Sequence, residues 1–274
     1  MGIWFVTFWL QSKRALLRGL LTRRALLLAA GMILLLAIQV IILYFRFNPT
    51  FLNGFFVGFH CWATLSIIVP IAAMYLGVTC LLEDTERGSI AYLFSRPAPR
   101  SAILLGRFAG AGITALLFAL AVVGLSALVA DRMSPGELLP QQAPLFCRAG
   151  GATALCFTAL GVCLGSFTTK GLLWGIGLVT GGELVMGGML AKAQMTGFRS
   201  VLVTDMARQS VLADLWPGLD GESRLWLARH MTSLPAGQDS TGLLLAMGRY
   251  GLVVLLLGLL FFCLKEQRYK SGGN

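Results

Sequence analysis

Val57 to Leu82 reads VGFHCWATLSIIVPIAAMYLGVTCLL, 26 residues without a charge, and charges resume at once in Glu83-Asp84-Thr85-Glu86-Arg87. Hydrocarbon about 30 Å thick is crossed by roughly 20 residues of helix, so the run is long enough to span a bilayer. It lacks strand-like alternation and is too long for a barrel strand, which leaves a helix. Asn48, Pro49 and Asn53 place a loop before it, and Pro70 predicts a kink that neighbouring helices accommodate.

Five further runs are long and apolar: Ala25–Phe45, Phe108–Ala130 and Ala149–Thr169 without a charge, Gly171–Ala191 interrupted by Glu183, and Leu243–Leu264 with Arg249 near one end. The sequence therefore predicts an all-α polytopic membrane protein with six transmembrane helices in one domain, residues 1–274. Composition agrees: the chain is 57% hydrophobic and 12% charged, where globular chains average about 45–50% apolar and about 25% charged. A soluble domain of this length would expose apolar patches large enough to aggregate. The same arithmetic excludes a disordered chain, and a nucleic-acid-binding domain despite the net charge of +10.

Basic residues orient the spans. With the N-terminus inside, the inner side holds Lys13, Arg14, Arg18, Arg23, Arg24, Arg87, Arg96, Arg100, Arg107, Lys170, Lys265, Arg268 and Lys270. The short outer loops hold only Arg46, Arg132 and Arg148. This bias puts both termini in the cytoplasm. Only Glu83, Asp84, Glu86 and Glu266 oppose it on the inner side, so the net charge is a topology signal. No cleavable signal peptide is expected, because the first long apolar run starts late and exceeds an h-region.

Residues 1–24 predict an interfacial helix. Gln11, Arg14 and Arg18 share one face, and Trp4, Phe5, Phe8, Trp9, Leu16, Leu17 and Leu20 supply a broad apolar surface. Such a helix sets aromatics at headgroup depth and arginines toward anionic lipid. Residues 83–100 predict a cytoplasmic loop with a short helix at Ser89–Phe94. Negative charge at Glu83, Asp84 and Glu86 favours its N-terminus, and Ser95-Arg96-Pro97-Ala98-Pro99 stops it. A short, rigidly bounded helix there suits a membrane subunit that receives movement from a soluble partner; an ordinary polar loop is the plainer alternative.

The stretch EDTERGSIAYLFSRPAPRSAILLGRF resembles the cytoplasmic loop of type-2 ABC transporter permeases, whose pattern runs E-x-E-x-G-T, L-L-S-x-P, S-R and L-L-G-K. Glu83 or Asp84, Glu86, Gly88, Ser95, Pro97, Arg100, Leu105 and Gly106 fall on it. Ser89 replaces the usual threonine, Pro99 the serine before Arg100, and Arg107 the lysine. The resemblance implies a membrane subunit in a bacterial inner membrane, paired with a second copy or a similar chain. It implies a cytoplasmic ABC ATPase that binds ATP and Mg, with no cofactor in this chain. By the same resemblance Glu83, Asp84, Glu86, Arg87, Gly88, Arg96 and Arg100 couple to that ATPase, and helices two and five line the central seam.

Two stretches carry a closer likeness. WGIGLVTGGELVMGGML, with Glu183 in mid-span, and VTDMARQSVLA, with Thr204, Asp205 and Arg208, are similar to segments of the permease for copper-site maturation of nitrous oxide reductase. The second lacks the Asn-Pro of its N-P-T-D-x-x-R pattern. The likeness implies export, or action on a periplasmic protein partner.

A mid-span acid costs about 2.5–3.5 kcal/mol and each leucine returns only about 0.3–0.6 kcal/mol, so Glu183 is expected to face protein or water. It is either a pathway or coupling residue or a buried hydrogen-bond anchor, and Arg249 is its best partner in this chain. The outer segment 192–241 predicts two helical pieces divided at Trp216–Gly221. Val201, Met206, Val211, Leu212 and Leu215 form the apolar side of the first, and Leu225, Trp226 and Met231 that of the second. Such a segment caps the bundle, dips into the membrane or docks a periplasmic protein. The pairs Gly106/Gly110, Gly161/Gly165, Gly171/Gly175 and Gly177/Gly181 each put two small residues on one face, where helices approach closely.

His60, Cys61 and Cys147 lie near outer helix ends, and with Met186, Met189 and Met195 they have the softness that suits Cu(I). These residues are also common packing material in spans, and no metal site is expected. The chain has no G-x-x-x-x-G-K-[ST], no H-E-x-x-H and no serine nucleophile with a paired histidine, so it is not expected to be an enzyme. On composition the rival is a proton-coupled secondary transporter or channel using Glu183. Against it, no internal repeat is visible and the acidic inner segment would have no role.

Overall fold

The computed structural model describes residues 2–21, 23–45, 57–86, 99–133, 139–168, 170–179, 203–219, 221, 224–225, 227 and 239–271. Their regular secondary structure is helical throughout. The first helices are α1, Gly2–Leu21, and α2, Arg23–Phe45. The uncharged run at Val57 becomes α3, a π-helical stretch His60–Ile68 continued by the α-helix Val69–Glu86. Next come α4, Arg100–Met133, and α5, Leu139–Phe167. After them lie α6, Gly171–Gly177, α7, Val203–Leu215, with a short 3₁₀ turn Trp216–Gly218, and α8, Ser240–Ser271.

The sequence predicts a kink at Pro70; the structure puts the π-helical stretch immediately upstream of it. Proline has no N–H, and its ring collides with the carbonyl four residues back, here Ser66. The wider winding takes up that mismatch: Val69 N–H donates to Thr64 O, and Ser66 Oγ donates to Cys61 O at 2.9 Å, each reaching back five residues.

Four helices among the described residues are long and apolar enough to cross a membrane: Val57–Leu82, Arg100–Val129, Gln142–Phe167 and Ser240–Leu264. The first coincides with the predicted second span at both bounds. The next two begin earlier than the predicted Phe108 and Ala149, each of which directly follows an arginine, Arg107 and Arg148. Charge marks the edge of hydrocarbon, whereas a helix runs on until its backbone is capped. For α4 the cap is Pro99, whose carbonyl accepts Ala102 N–H at 3.0 Å and Ile103 N–H at 3.3 Å. The same distinction corrects the predicted loop at 83–100: α3 continues through Glu83, Asp84 and Glu86, which form its last turn. Arg87, Gly88, Arg96 and the predicted helix Ser89–Phe94 lie outside the described residues, as does Glu183.

Within their spans α5 is 72% buried and α3 67%, against 39% for α4 and 22% for α8. The core is therefore α5 against α3, and α8 keeps Leu245, Leu252, Leu256 and Leu260 outside. Two glycines set the central crossing. A Cβ on Gly161 would lie 2.5 Å from Met74 O, and one on Gly77 2.5 Å from Thr158 O, so backbone meets backbone there.

The same contacts give directions. Gly150 faces Leu65 and Gly161 faces Gly77, so α3 and α5 run parallel. Gly251 lies on Cys156 and Gly258 on Cys163, so α8 is parallel to both. Gly112 meets Leu155 and Gly150 meets Ala119, so α4 runs against them. The bundle thus has two ends, one holding Arg107, Lys170 and the Glu86 end of α3, the other holding His60 and the starts of α5 and α8. Turning back from the Arg107 end, α6 carries Gly175 to Met74, while α7 packs at the His60 end on α3, α5 and α8.

Candidate functional site

At the Arg107 end three elements converge. The helix α1 lies along the first four turns of α4 in the same direction, Trp4 beside Ser101 and Gly19 beside Thr114. Small residues permit this. A Cβ on Gly106 would lie 2.5 Å from Phe8 O and 3.0 Å from Gln11 Cβ, and one on Gly110 would strike Ser12 O and Ala15 Cβ. The predicted Gly106/Gly110 face therefore meets α1. Trp4 Nε1 donates to Ser101 Oγ at 3.2 Å and its ring stacks on Phe8, centroids 5.5 Å apart.

Arg107 closes the junction. Only 3% exposed, it donates from Nε to Gln11 Oε1 at 3.2 Å and from Nη1 to Cys80 O at 3.1 Å. Cys80 stands six residues before the end of α3, and a helical carbonyl keeps a second lone pair with which it can accept such a donor. On the face that Gln11 shares with Arg14 and Arg18, Gln11 reaches Arg107, Arg14 is exposed and Arg18 is half-buried. Of the predicted apolar surface of α1, Trp4, Phe5, Trp9, Leu17 and Leu20 are exposed, while Phe8 and Leu16 are half-buried. Arg100 opens α4, half-buried.

At the His60 end, α7 is buried on nearly every side. Met206, Val211, Leu212 and Leu215 are buried as the sequence predicts, and so are Thr204, Asp205, Gln209 and Ser210. Asp205 is held by its neighbours Arg208 and Gln209, and Ser210 Oγ donates to Ala207 O at 2.8 Å. Arg208 Nη2 lies 3.3 Å from Asp205 Oδ1, Arg208 Nε donates to Thr204 O at 3.4 Å, and Gln209 Nε2 donates to Asp205 Oδ2 at 2.9 Å. Asp205 also sits in the first turn, where a carboxylate complements the helix dipole. Among the described part of the second predicted piece, Leu225 is exposed and Leu227 buried.

Beneath α7, the buried His60 has Nδ1 3.0 Å from Thr64 Oγ1 and its ring 5.2 Å from that of Phe146. Among the described residues no group of three His, Cys, Asp or Glu converges as a metal site. All six cysteines are free thiols; Cys156 Sγ donates to Met247 O at 3.0 Å, tying α5 to α8. Arg249, the expected partner of Glu183, is exposed on α8.

Sequence reasoning missed Arg107 as a junction and Gln209 as a buried ligand of Asp205. A signal for the first was present: a lone arginine inside an otherwise apolar helix, adjoining a Gly-x-x-x-Gly face. A model of ABC-2 family transporter proteins matches residues 53–201, just over half of the chain. Comparison with curated proteins gives no match.

Proposed function

Since the chain belongs to the ABC-2 family of transporter proteins and is a transmembrane subunit of an ABC transporter, we propose that it couples ATP hydrolysis in a separate cytoplasmic ATPase to export or to work on a periplasmic partner. The observation that carries this reading is the family match over residues 53–201, which takes in the acidic end of α3 and the whole segment to Arg100. In this reading the Arg107 end faces the cytoplasm, and residues 83–100 receive the ATPase. The subunit sits in a bacterial inner membrane with six crossings, α2 being the first. A fifth crossing between α5 and α8 is supported by their parallel directions, which require an odd number of crossings between them.

Two copies, or one copy and a similar chain, form the transporter, with α3 and the span begun by α6 at the seam and Glu183 in it. Copper-site maturation of nitrous oxide reductase is the task that the likeness at residues 174–190 and 203–213 suggests. The helix α7 is then the element nearest a periplasmic partner. The test is purification in mild detergent: an ABC ATPase comes down with the wild-type chain. The pair Glu83→Lys and Glu86→Lys retains the fold but abolishes the permease-dependent change in ATPase rate. A chain isolated as an active, partner-free conductor overturns the reading.

A further inference from the structure

Resting on the reading that an ATPase drives this subunit, we propose that Arg107 is a positioning residue that makes the N-terminal helix α1 part of the moving machinery, by tying it to the acidic end of α3. Its guanidinium holds Gln11 of α1 at 3.2 Å and the Cys80 carbonyl of α3 at 3.1 Å, from a buried place on α4. Cys80 lies three residues before Glu83, so a displacement of the acidic last turn reaches its carbonyl within one helical turn. The planar guanidinium fork fixes both bonds in one geometry, where a lysine ammonium is a single rotatable point.

On the receiving side there is little slack. Gly106 and Gly110 let the α1 backbone touch α4, Gly19 stands where a Cβ would lie 2.7 Å from Thr114 Oγ1, and Trp4 Nε1 is bonded to Ser101. Over these four turns α1 and the start of α4 form one body. Movement delivered at Cys80 therefore carries α1 with it, along with the exposed Phe5, Trp9 and Leu17. The ATPase stroke thus reaches the lipid-facing surface of the subunit as well as its seam.

The experiment is amide hydrogen exchange of the full chain with its ATPase in lipid nanodiscs, with and without ATP plus vanadate. In the wild type, exchange across residues 4–19 changes with nucleotide. Arg107→Met keeps the ATPase bound and loses that change, and Arg107→Lys regains part of it. Gln11→Leu removes one of several ties between α1 and α4 and leaves the bond to Cys80, so it weakens the change in residues 4–19 less than Arg107→Met does, while residues 76–82 still respond. A wild-type complex without a nucleotide-dependent change in α1, or an Arg107→Met complex that keeps it in full, overturns the proposal. A wild-type chain that holds no ATPase overturns the coupling reading itself, a result distinct from either.

Discussion

Asp205 has both carboxylate oxygens engaged inside α7, Oδ1 by Arg208 and Oδ2 by Gln209, while the helix is buried against three others. Burying a charge is costly, and removing one partner of a buried pair costs about 3–5 kcal/mol because the other is left uncompensated. Asp205→Ala is therefore expected to destabilise the chain by that order. Asp205→Ala combined with Arg208→Met should recover most of the loss, since no charge is then stranded. Thermal unfolding in detergent checks both, and equal losses in the single and double variants would falsify the pair as the source. The likeness of residues 203–213 to a related permease singles out Thr204, Asp205 and Arg208, but not Gln209. A glutamine four residues beyond an aspartate is ordinary on an exposed helix and becomes a ligand only when that face is covered.

Among the helices, the glycine pairs show what a local pattern can and cannot say. The spacing of Gly106 and Gly110 announces a close helix contact, but α1, ninety-odd residues away in sequence, supplies the other surface. The same holds for Gly161, which meets Gly77. Gly161→Ala would push a methyl against Met74 O, a backbone atom that cannot swing aside. Overpacking of this kind costs about 1–3 kcal/mol. Gly124, in α4, has nothing within 4 Å of its would-be Cβ. There Gly124→Ala is expected to be neutral or stabilising by up to about 1 kcal/mol, from the lower helix propensity of glycine. Melting temperatures of the two variants, measured side by side, should move in opposite directions or at least differ by this margin. The corrected end of α3 has the same logic. Its acids mark where hydrocarbon stops, and the helix continues past them because nothing in Glu83-Asp84-Thr85-Glu86 breaks it.

For the molecule as a whole, alternating directions make a topological claim. With α3, α5 and α8 parallel and α4 against them, residues at the Arg107 end and at the His60 end lie on opposite sides of the membrane. Cysteine introduced at the exposed Lys13, in a background lacking the native cysteines, is expected to react only with a permeant reagent in intact cells. Cysteine at Leu225, 60% exposed at the other end, should react with an impermeant one. Labelling of both from the same side would sink the proposed orientation. The large apolar surface of α8 and α4 is consistent with a helix bundle bathed in lipid, where exposed leucines cost nothing.

The sequence by itself determined the class and most of the spans, because membrane crossing is a property of contiguous residues: about 20 apolar positions suffice wherever they occur. Val57–Leu82 could be bounded at both ends for that reason. The tertiary structure decided which polar groups find partners. Gln11 with Arg107, Arg107 with the Cys80 carbonyl, and the buried face of α7 all depend on surfaces distant in the chain. Once glycines let two backbones touch, a charge that reads as the edge of a span becomes an internal tie, since burial leaves it no solvent and obliges it to bond protein.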